Sequence, residues 1–108
     1  MNLLFICSCN QWRSPTAKAV YKNRPYINSK SAGTEPSARI KLTAKMIDRS
    51  NFIFVMEKKH KQRIQERFNT ELIHKEIIIL DIPDEYKFKD EELIEDIQTK
   101  VNSFLSGL

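Results

Sequence analysis

A cysteine and an arginine near the start of the chain are the residues best suited to chemistry. Cys7 follows a run of apolar residues, and Arg13 stands six positions later, immediately before Ser14 and Pro15. A cysteine thiolate is a strong nucleophile, and the planar guanidinium of arginine can hold two oxygens of one oxyanion. The spacing predicts a loop that wraps around a phosphate-sized anion, with the thiol at its start and the guanidinium at its end.

The residues between Cys7 and Arg13 complete the predicted cradle. Backbone N–H groups of such a loop can point at the anion, and a helix beginning at Ser14 adds the positive end of its dipole. Serine is a favourable helix cap, and Pro15 suits the first helical position. The same potential favours the thiolate form of Cys7. The predicted phosphate-binding residues are Ser8, Cys9, Asn10, Gln11, Trp12 and Arg13. The plain alternative is a buried strand cysteine and an unrelated surface arginine.

Strands and helices alternate along the rest of the chain. Apolar runs predict four strands, over residues 3–6, 26–31, 52–56 and 77–80. Apolar periodicity and end signals predict helices over residues 14–22, 38–48 and 57–68, and a last helix capped by Asp90. This order predicts an α/β fold in three layers, with a four-stranded parallel sheet between two layers of helices.

Ligands of parallel sheets bind at the carboxyl ends of the strands. Cys7, Ser31 and the acidic loop of residues 81–84 each lie at the end of a predicted strand, so we expect them at one edge of the sheet. Asp81 and Asp84 are the two carboxylates of that loop. They are either acid–base groups of the site or ordinary turn residues that end a strand.

Composition narrows the class of protein. The 108 residues are 41% hydrophobic, which predicts a single domain over residues 1–108. No apolar run predicts a membrane span or a signal peptide, and two cysteines make no disulfide framework, so we expect a cytoplasmic protein. The net charge of +4 suits anionic substrates without favouring nucleic acid, and the basic helix 57–68 is interpreted as a solvated face. His60 and His74 have no companion ligands, so no metal is expected.

The segment CSCNQWRSP resembles the nucleophile loop of the low-molecular-weight protein tyrosine phosphatases, Cys-x-Gly-Asn-x-Cys-Arg-Ser. The matching residues are Cys7, Asn10, Arg13, Ser14 and Pro15. Cys9 stands where the family has glycine, and Trp12 stands where it has a second cysteine. The resemblance covers most of the chain in order, including the Ser-Ala-Gly-Thr run that begins at Ser31. The region between the second and third strands is shorter than in the family, so the chain resembles a short member.

The resemblance implies a phosphatase that needs no cofactor or metal. Cys7 is then the nucleophile that forms a phosphocysteine, and Arg13 binds the phosphate. The family's general acid follows its fourth strand, which implies Asp84, with Asp81 as the alternative. Ser31 is implied to hydrogen-bond to Asn10 and Ser14 and so to hold the loop. The implied substrate is a phosphotyrosine protein or a small aryl phosphate.

Other activities use similar loops. A thioredoxin-linked arsenate reductase needs further cysteines on a later segment, and none follows Cys9. A phosphocysteine carrier of the sugar-phosphotransferase type is not expected to combine Arg13 with a downstream acid. A non-catalytic module that binds phosphate or phosphoproteins remains the main alternative, because Cys9 replaces the loop glycine. The spacing of Cys7 and Cys9 also suggests a disulfide that switches activity with redox state.

Overall fold

The computed structural model describes residues 1–108 and contains a four-stranded parallel sheet in the order β2-β1-β3-β4. Its strands are β1 (Asn2–Cys7), β2 (Asn28–Gly33), β3 (Phe52–Val55) and β4 (Glu76–Ile79). The helices are α1 (Arg13–Tyr21), α2 (Ala44–Arg49), α3 (Lys58–Arg67) and α4 (Glu91–Ser106). The predicted α/β class and parallel sheet are confirmed, with each strand boundary within two residues of its predicted position.

The helices cover both faces of the sheet, which gives the three predicted layers. On one face α1 and α4 pack on alternate residues of β1 and β3, with Tyr21, Phe5 and Phe54 stacked in a row. On the other face α2 and α3 contribute Ile47 and Ile64 to a second apolar cluster. The central strand β1 is therefore buried on both sides and is apolar from Leu3 to Cys7, as expected of a parallel strand between two helix layers.

The last helix forms as predicted. The Asp90 side chain accepts a hydrogen bond of 2.9 Å from the Glu92 amide, and two glutamates occupy the favourable first turn. Its buried or half-buried stripe consists of Leu93, Ile94, Ile97, Val101, Phe104 and Leu105. No helix of the chain combines the length and the apolar character that a membrane span requires.

The predicted helix over residues 38–48 is wrong in its first half. The helix begins only at Ala44, where the Thr43 side chain caps it by accepting from the Met46 amide at 3.3 Å. Before it, the chain runs extended beside β2: the Gly33 amide donates to the Ile40 carbonyl, and the Leu42 amide donates to the Gly33 carbonyl. Strand-edge pairing therefore takes the backbone groups that a longer helix would have used.

The start of α1 also differs from the prediction. The helix begins at Arg13, so Ser14 is its second residue and Pro15 its third. Trp12 occupies the cap position and makes no side-chain cap hydrogen bond. Ser14 is therefore not a helix cap, and its hydroxyl is available to the loop that precedes the helix.

Candidate active site

A small cavity lies at the carboxyl end of β1, between the loop of residues 8–12 and the segment after β4. Its volume is about 60 Å³. Its lining residues are Cys7, Ser8, Cys9, Gln11, Trp12, Arg13 and Asp84. The structure thus brings together the predicted nucleophile, the predicted anion-binding guanidinium and one of the two predicted acids. Asn10 is the one predicted phosphate-binding residue that does not line the cavity, because its side chain is completely buried on the other side of the loop.

The backbone of the loop has its carbonyl oxygens turned away from the cavity. The Cys7 and Ser8 carbonyls accept from the amides of Thr34 and Glu35, and the Cys9 carbonyl accepts from the amide of Arg39, each at 3.0 Å. None of the backbone amides of residues 8–12 donates to an acceptor of the protein. Five N–H groups in one tight loop are thus free, which is the arrangement that an oxyanion requires of a backbone concavity.

Two backbone features allow the loop to bend this tightly. Asn10 has a φ of 55°, in the left-handed region that asparagine tolerates better than most residues. Gly33, the last residue of β2, lies directly against the loop. A Cβ at this position would stand 2.5 Å from the Ser8 carbonyl oxygen and 3.1 Å from the Asn10 nitrogen. Glycine is therefore required by the close approach of two backbones.

The sulfur of Cys7 is buried and faces a hydroxyl. The Sγ atom lies 3.0 Å from Ser14 Oγ, and Asn10 Nδ2 donates to the same oxygen at 2.9 Å. Because Asn10 donates a hydrogen bond to Ser14 Oγ, the Ser14 hydroxyl has its own hydrogen to donate, either to the sulfur at 3.0 Å or to the Ala32 carbonyl at 3.4 Å. The geometry therefore provides the sulfur with a hydrogen-bonding hydroxyl at close range.

Ser31 does not hold the loop in the way that the resemblance implied. Its hydroxyl is buried and makes no hydrogen bond, and Asn10 Oδ1 likewise has no partner. The nearest equivalent contact comes from the next residue, whose carbonyl lies 3.4 Å from Ser14 Oγ. The expected hydrogen bonds from Ser31 to Asn10 and Ser14 are thus not formed, and Asn10 contacts Ser14 directly through its Nδ2 atom instead.

Arg13 is buried and is fixed from behind by two groups. Its Nη1 atom donates to Glu57 Oε2 at 2.5 Å and to the Ile82 carbonyl at 2.9 Å. Asp84 approaches from the cavity side, with its Oδ1 atom 3.7 Å from Arg13 Nε. Partial burial raises the pKa of Glu57, but the hydrogen bond and charge of Arg13 more than offset this, so the pKa lies below its ordinary value. Glu57 is therefore a carboxylate that orients the guanidinium.

His60 links the same carboxylate residue to the loop. Its Nδ1 atom accepts from the backbone amide of Glu57 at 3.0 Å, so in the neutral ring the proton is on Nε2. That nitrogen lies 2.9 Å from Ser8 Oγ and can donate to it. Burial, and after it the nearby charge of Arg13, lowers the pKa of His60 to about 4. A neutral histidine thus joins the start of α3 to the anion-binding loop.

The structure separates the two candidate acids. Asp84 lines the cavity, and its side chain is 57% exposed, so it can meet both solvent and a bound ligand. Asp81 is not part of the cavity. It has a φ of 57° and its carbonyl accepts from Lys100 Nζ at 3.1 Å, which places it in the turn that ends β4. Of the two candidate acids, Asp84 therefore lies at the cavity that contains Cys7, and Asp81 does not.

Solved structures of phosphatases share this architecture over nearly the whole chain. YwlE arginine phosphatase from Geobacillus stearothermophilus is 23% identical, with a TM-score of 0.74, and the alignment covers 98% of this chain and 94% of that one. Wzb tyrosine phosphatase from Escherichia coli K30, in complex with phosphate, is 19% identical, with a TM-score of 0.77 and coverage of 99% and 97%. A low-molecular-weight protein tyrosine phosphatase from Streptococcus pyogenes is 16% identical, with a TM-score of 0.79 and coverage of 99% and 92%. No protein-family model and no curated protein matches the sequence.

The chain has the low-molecular-weight phosphatase fold. The two residues that differ from the family's loop pattern, Cys9 and Trp12, both border the cavity. Cys9 is half-buried, and Trp12 is 43% exposed. Cys7 and Cys9 are free thiols, so the suggested disulfide between them stays a prediction for oxidising conditions. Cys9 occupies the loop without a positive φ, which in the loop belongs to Asn10 alone.

Sequence reasoning missed three residues that shape the site. Glu57 and His60 had been assigned to a solvated basic helix, yet they hold Arg13 and Ser8. Gly33 belongs to the Ser-Ala-Gly-Thr run without a predicted role of its own, yet it is where β2 meets the loop. The signal for Glu57 was available, because it follows the third strand and so lies at the same sheet edge as Cys7. The contacts of His60 depend on how α3 packs, which the sequence pattern does not show.

Proposed function

We propose that this single-domain chain is a cysteine-dependent phosphatase of the protein tyrosine phosphatase type, which hydrolyses phosphate monoesters without a metal. One observation carries the proposal: a small cavity contains a thiol, a buried guanidinium, an acid and five free backbone amides. Each group matches one requirement of phosphoryl transfer, namely a nucleophile, neutralisation of the equatorial oxygens and a proton for the leaving group.

The reaction has two steps. In the first, the Cys7 thiolate attacks phosphorus, the S–P bond forms, and the P–O bond to the leaving group breaks. Asp84 donates its proton to the departing oxygen, while Arg13 and the loop amides bind the three equatorial oxygens. In the second step, Asp84 removes a proton from a water molecule, which attacks the phosphocysteine and releases inorganic phosphate and the Cys7 thiolate.

Ser14 and Glu57 act behind the reacting groups. The Ser14 hydroxyl, 3.0 Å from the sulfur, stabilises the thiolate before attack and again when it leaves phosphorus. Glu57 binds Nη1 of Arg13 and leaves the Nε side of the guanidinium towards the cavity, where Asp84 approaches it. A thiolate nucleophile requires a reducing compartment, so we place the enzyme in the cytoplasm.

The substrate class has two candidates among the structural neighbours, which include both tyrosine and arginine phosphatases. Trp12 borders the cavity and is 43% exposed, so it presents an aromatic face beside the position of the leaving group. Aromatic side chains stack favourably on aryl rings. We therefore propose phosphotyrosine proteins or small aryl phosphates as substrates, and phosphoarginine peptides serve as the comparison.

A second function is a non-catalytic module that binds phosphate or phosphoproteins. The observation that favours it is the ion pair of Arg13: Glu57 and Asp84 both lie beside the guanidinium and reduce the positive charge available to a phosphate. Such a module retains the amide cradle and binds oxyanions without turnover.

Turnover of phosphotyrosine peptide and para-nitrophenyl phosphate, with reductant and a chelator present, tests the proposal. We expect Cys7→Ser to abolish turnover and Asp84→Asn to slow it about 100-fold or more, with Asp81→Asn as the matched control near wild type. Asp84→Asn should affect the peptide more than the nitrophenyl ester, because tyrosine is the poorer leaving group. Inactive wild type that orthovanadate still protects from thermal unfolding would instead establish the binding module.

A further inference from the structure

A large cleft lies at the end of the sheet opposite the catalytic loop. Its volume is about 580 Å³, against about 60 Å³ for the cavity at Cys7. It is bordered by the first residues of β1 and β2, whereas the catalytic loop follows the last residue of β1. Five residues of an extended strand span about 17 Å, so the two sites are separated by the length of β1.

Four basic side chains from three elements border this cleft, and no acidic residue does. Lys18 lies on α1 and Lys22 directly follows it, while Lys30 lies on β2 and Arg49 ends α2. None of the four side chains forms an ion pair or a hydrogen bond within the chain. No carboxylate of the cleft therefore offsets the positive charges of these four side chains, and the cleft is a region of positive potential.

The rest of the lining is suited to a ligand with an apolar body. Ile27 and Met46 are half-buried side chains of the cleft, Ile27 in the apolar cluster of Leu3 on one face of the sheet and Met46 in that of Leu4 on the other, so they flank the strand ends. Asn2, Asn28 and Ser29 add neutral polar groups along the strand ends. Volumes of about 300–1,000 Å³ with an apolar lining and a few placed polar groups are typical of small-molecule sites.

Protection of the edge strand against pairing with another sheet explains only some of these basic residues. Lysine on an edge strand hinders unwanted pairing with another sheet, and Lys30 lies on the edge strand β2. Lys18 and Arg49, however, belong to helices on opposite faces of the sheet, where edge protection needs no charge. What the four residues share is the cleft between them.

We propose that this cleft binds a small organic anion that carries two or more negative groups on an apolar body. The negative groups pair with Lys18, Lys22, Lys30 and Arg49, and the apolar body lies against Ile27 and Met46. The site is separate from the cavity at Cys7 and does not depend on the proposed phosphatase activity. Because α1 runs from Arg13 to Tyr21, the helix that begins at the catalytic loop ends at this second site.

The probe for the test is pyranine, a rigid aromatic trisulfonate that is not a phosphate ester. Its binding is measured by fluorescence anisotropy with orthovanadate present to fill the catalytic loop. We expect the double variant Lys30→Gln/Arg49→Gln to bind about tenfold more weakly than wild type. The control Lys58→Gln/Lys87→Gln removes the same net charge from exposed positions outside the cleft and should bind as wild type does.

Three results would overturn the proposal. Absence of pyranine binding to wild type shows that the cleft does not accept such an anion. Equal weakening in the two double variants shows attraction to net charge rather than a site. Competition by orthovanadate, or loss of binding in Arg13→Ala, places the probe in the catalytic loop. Circular dichroism of each variant identifies any loss of folded protein. The single substitution Met46→Gln leaves the charge unchanged and tests the proposed contact with the apolar body of the ligand, so it should weaken pyranine binding.

Discussion

Ser14 and Ser31 are both buried serines beside the catalytic loop, and they differ in what their hydroxyls contact. Ser14 Oγ lies 3.0 Å from Cys7 Sγ, whereas Ser31 Oγ has no hydrogen bond. A hydrogen bond to a charged group contributes about 1.5–3 kcal/mol. We therefore expect Ser14→Ala to lower kcat for para-nitrophenyl phosphate about 10- to 100-fold, because the thiolate loses its donor.

Ser31→Ala is the matched control for that experiment. It removes a hydroxyl that the fold leaves unpaired, so kcat should remain within about twofold of wild type and the midpoint of thermal unfolding should not fall. Equal losses of kcat in Ser14→Ala and Ser31→Ala would show that Ser31 supports the loop in solution, as the sequence resemblance implied.

Cys9 gives the loop a second thiol two residues from Cys7, the proposed nucleophile, and both thiols border one cavity. Peroxide oxidises the Cys7 thiolate to a sulfenic acid, and the Cys9 thiol can then displace water from it to form a disulfide. We expect wild type treated with mild peroxide to lose two hydrogens by mass spectrometry and to regain activity with dithiothreitol. Cys9→Ser should instead progress to irreversible sulfinic acid, and the absence of a Cys7–Cys9 peptide link in wild type would refute the switch.

At the scale of elements, the end of β2 determines the shape of the loop. A Cβ on Gly33 would lie 2.5 Å from both the Ser8 carbonyl oxygen and the Ala38 side chain, and the Ser8 carbonyl is held in place by the Glu35 amide. We expect Gly33→Ala to destabilise the fold by about 1–3 kcal/mol and to lower kcat/KM more than tenfold. Urea denaturation and steady-state kinetics measure the two effects.

Gly107→Ala provides the control at the other end of the chain. The nearest atom to a Cβ there is the Phe104 carbonyl oxygen at 3.5 Å, which is ordinary van der Waals contact. Its free energy of unfolding should remain within about 0.5 kcal/mol of wild type. If Gly33→Ala and Gly107→Ala lose comparable free energy of unfolding, the two glycines are needed for chain flexibility. The close contact between Gly33 and the loop would then not explain the loss of stability in Gly33→Ala.

The elements that could be predicted from the sequence are those whose apolar pattern arises from burial in the sheet. β1, β3 and α4 have continuous or periodic apolar residues, and their positions agree with the structure to within two residues. The first half of the predicted second helix failed because residues 40–42 pair with Gly33, a tertiary contact that helix propensity cannot indicate. The loop pattern likewise identified Cys7 and Arg13 but not Glu57, whose role arises only where β3 and β1 end side by side.

At the scale of the whole molecule, His60 ties the second half of the chain to the first. It belongs to α3, and it contacts Ser8 in the loop after β1 through a ring that must be neutral to accept from the Glu57 amide. Its pKa is lowered from 6.5 to about 4, chiefly by burial. Between these two values the unfolded chain binds a proton that the folded chain does not, so the free energy of unfolding falls as the pH falls through that window.

This coupling predicts the acid sensitivity of the fold. For one histidine with these pKa values, the free energy of unfolding should decrease by about 2.5 kcal/mol between pH 7.5 and pH 4.5. His60→Gln preserves a donor towards Ser8 but does not titrate. Its free energy of unfolding should therefore decrease over the same pH range by about 2.5 kcal/mol less than that of wild type. His74→Gln, at an exposed position outside the site, is the control for replacing a histidine. Urea denaturation of the three proteins at four pH values measures the difference.

Parallel pH curves for wild type and His60→Gln would show that His60 titrates alike in the folded and unfolded chains. If the curves diverge as expected, the same protonation that unfolds the protein also breaks the contact that holds Ser8, so turnover should be lost at or above the pH at which the fold is lost.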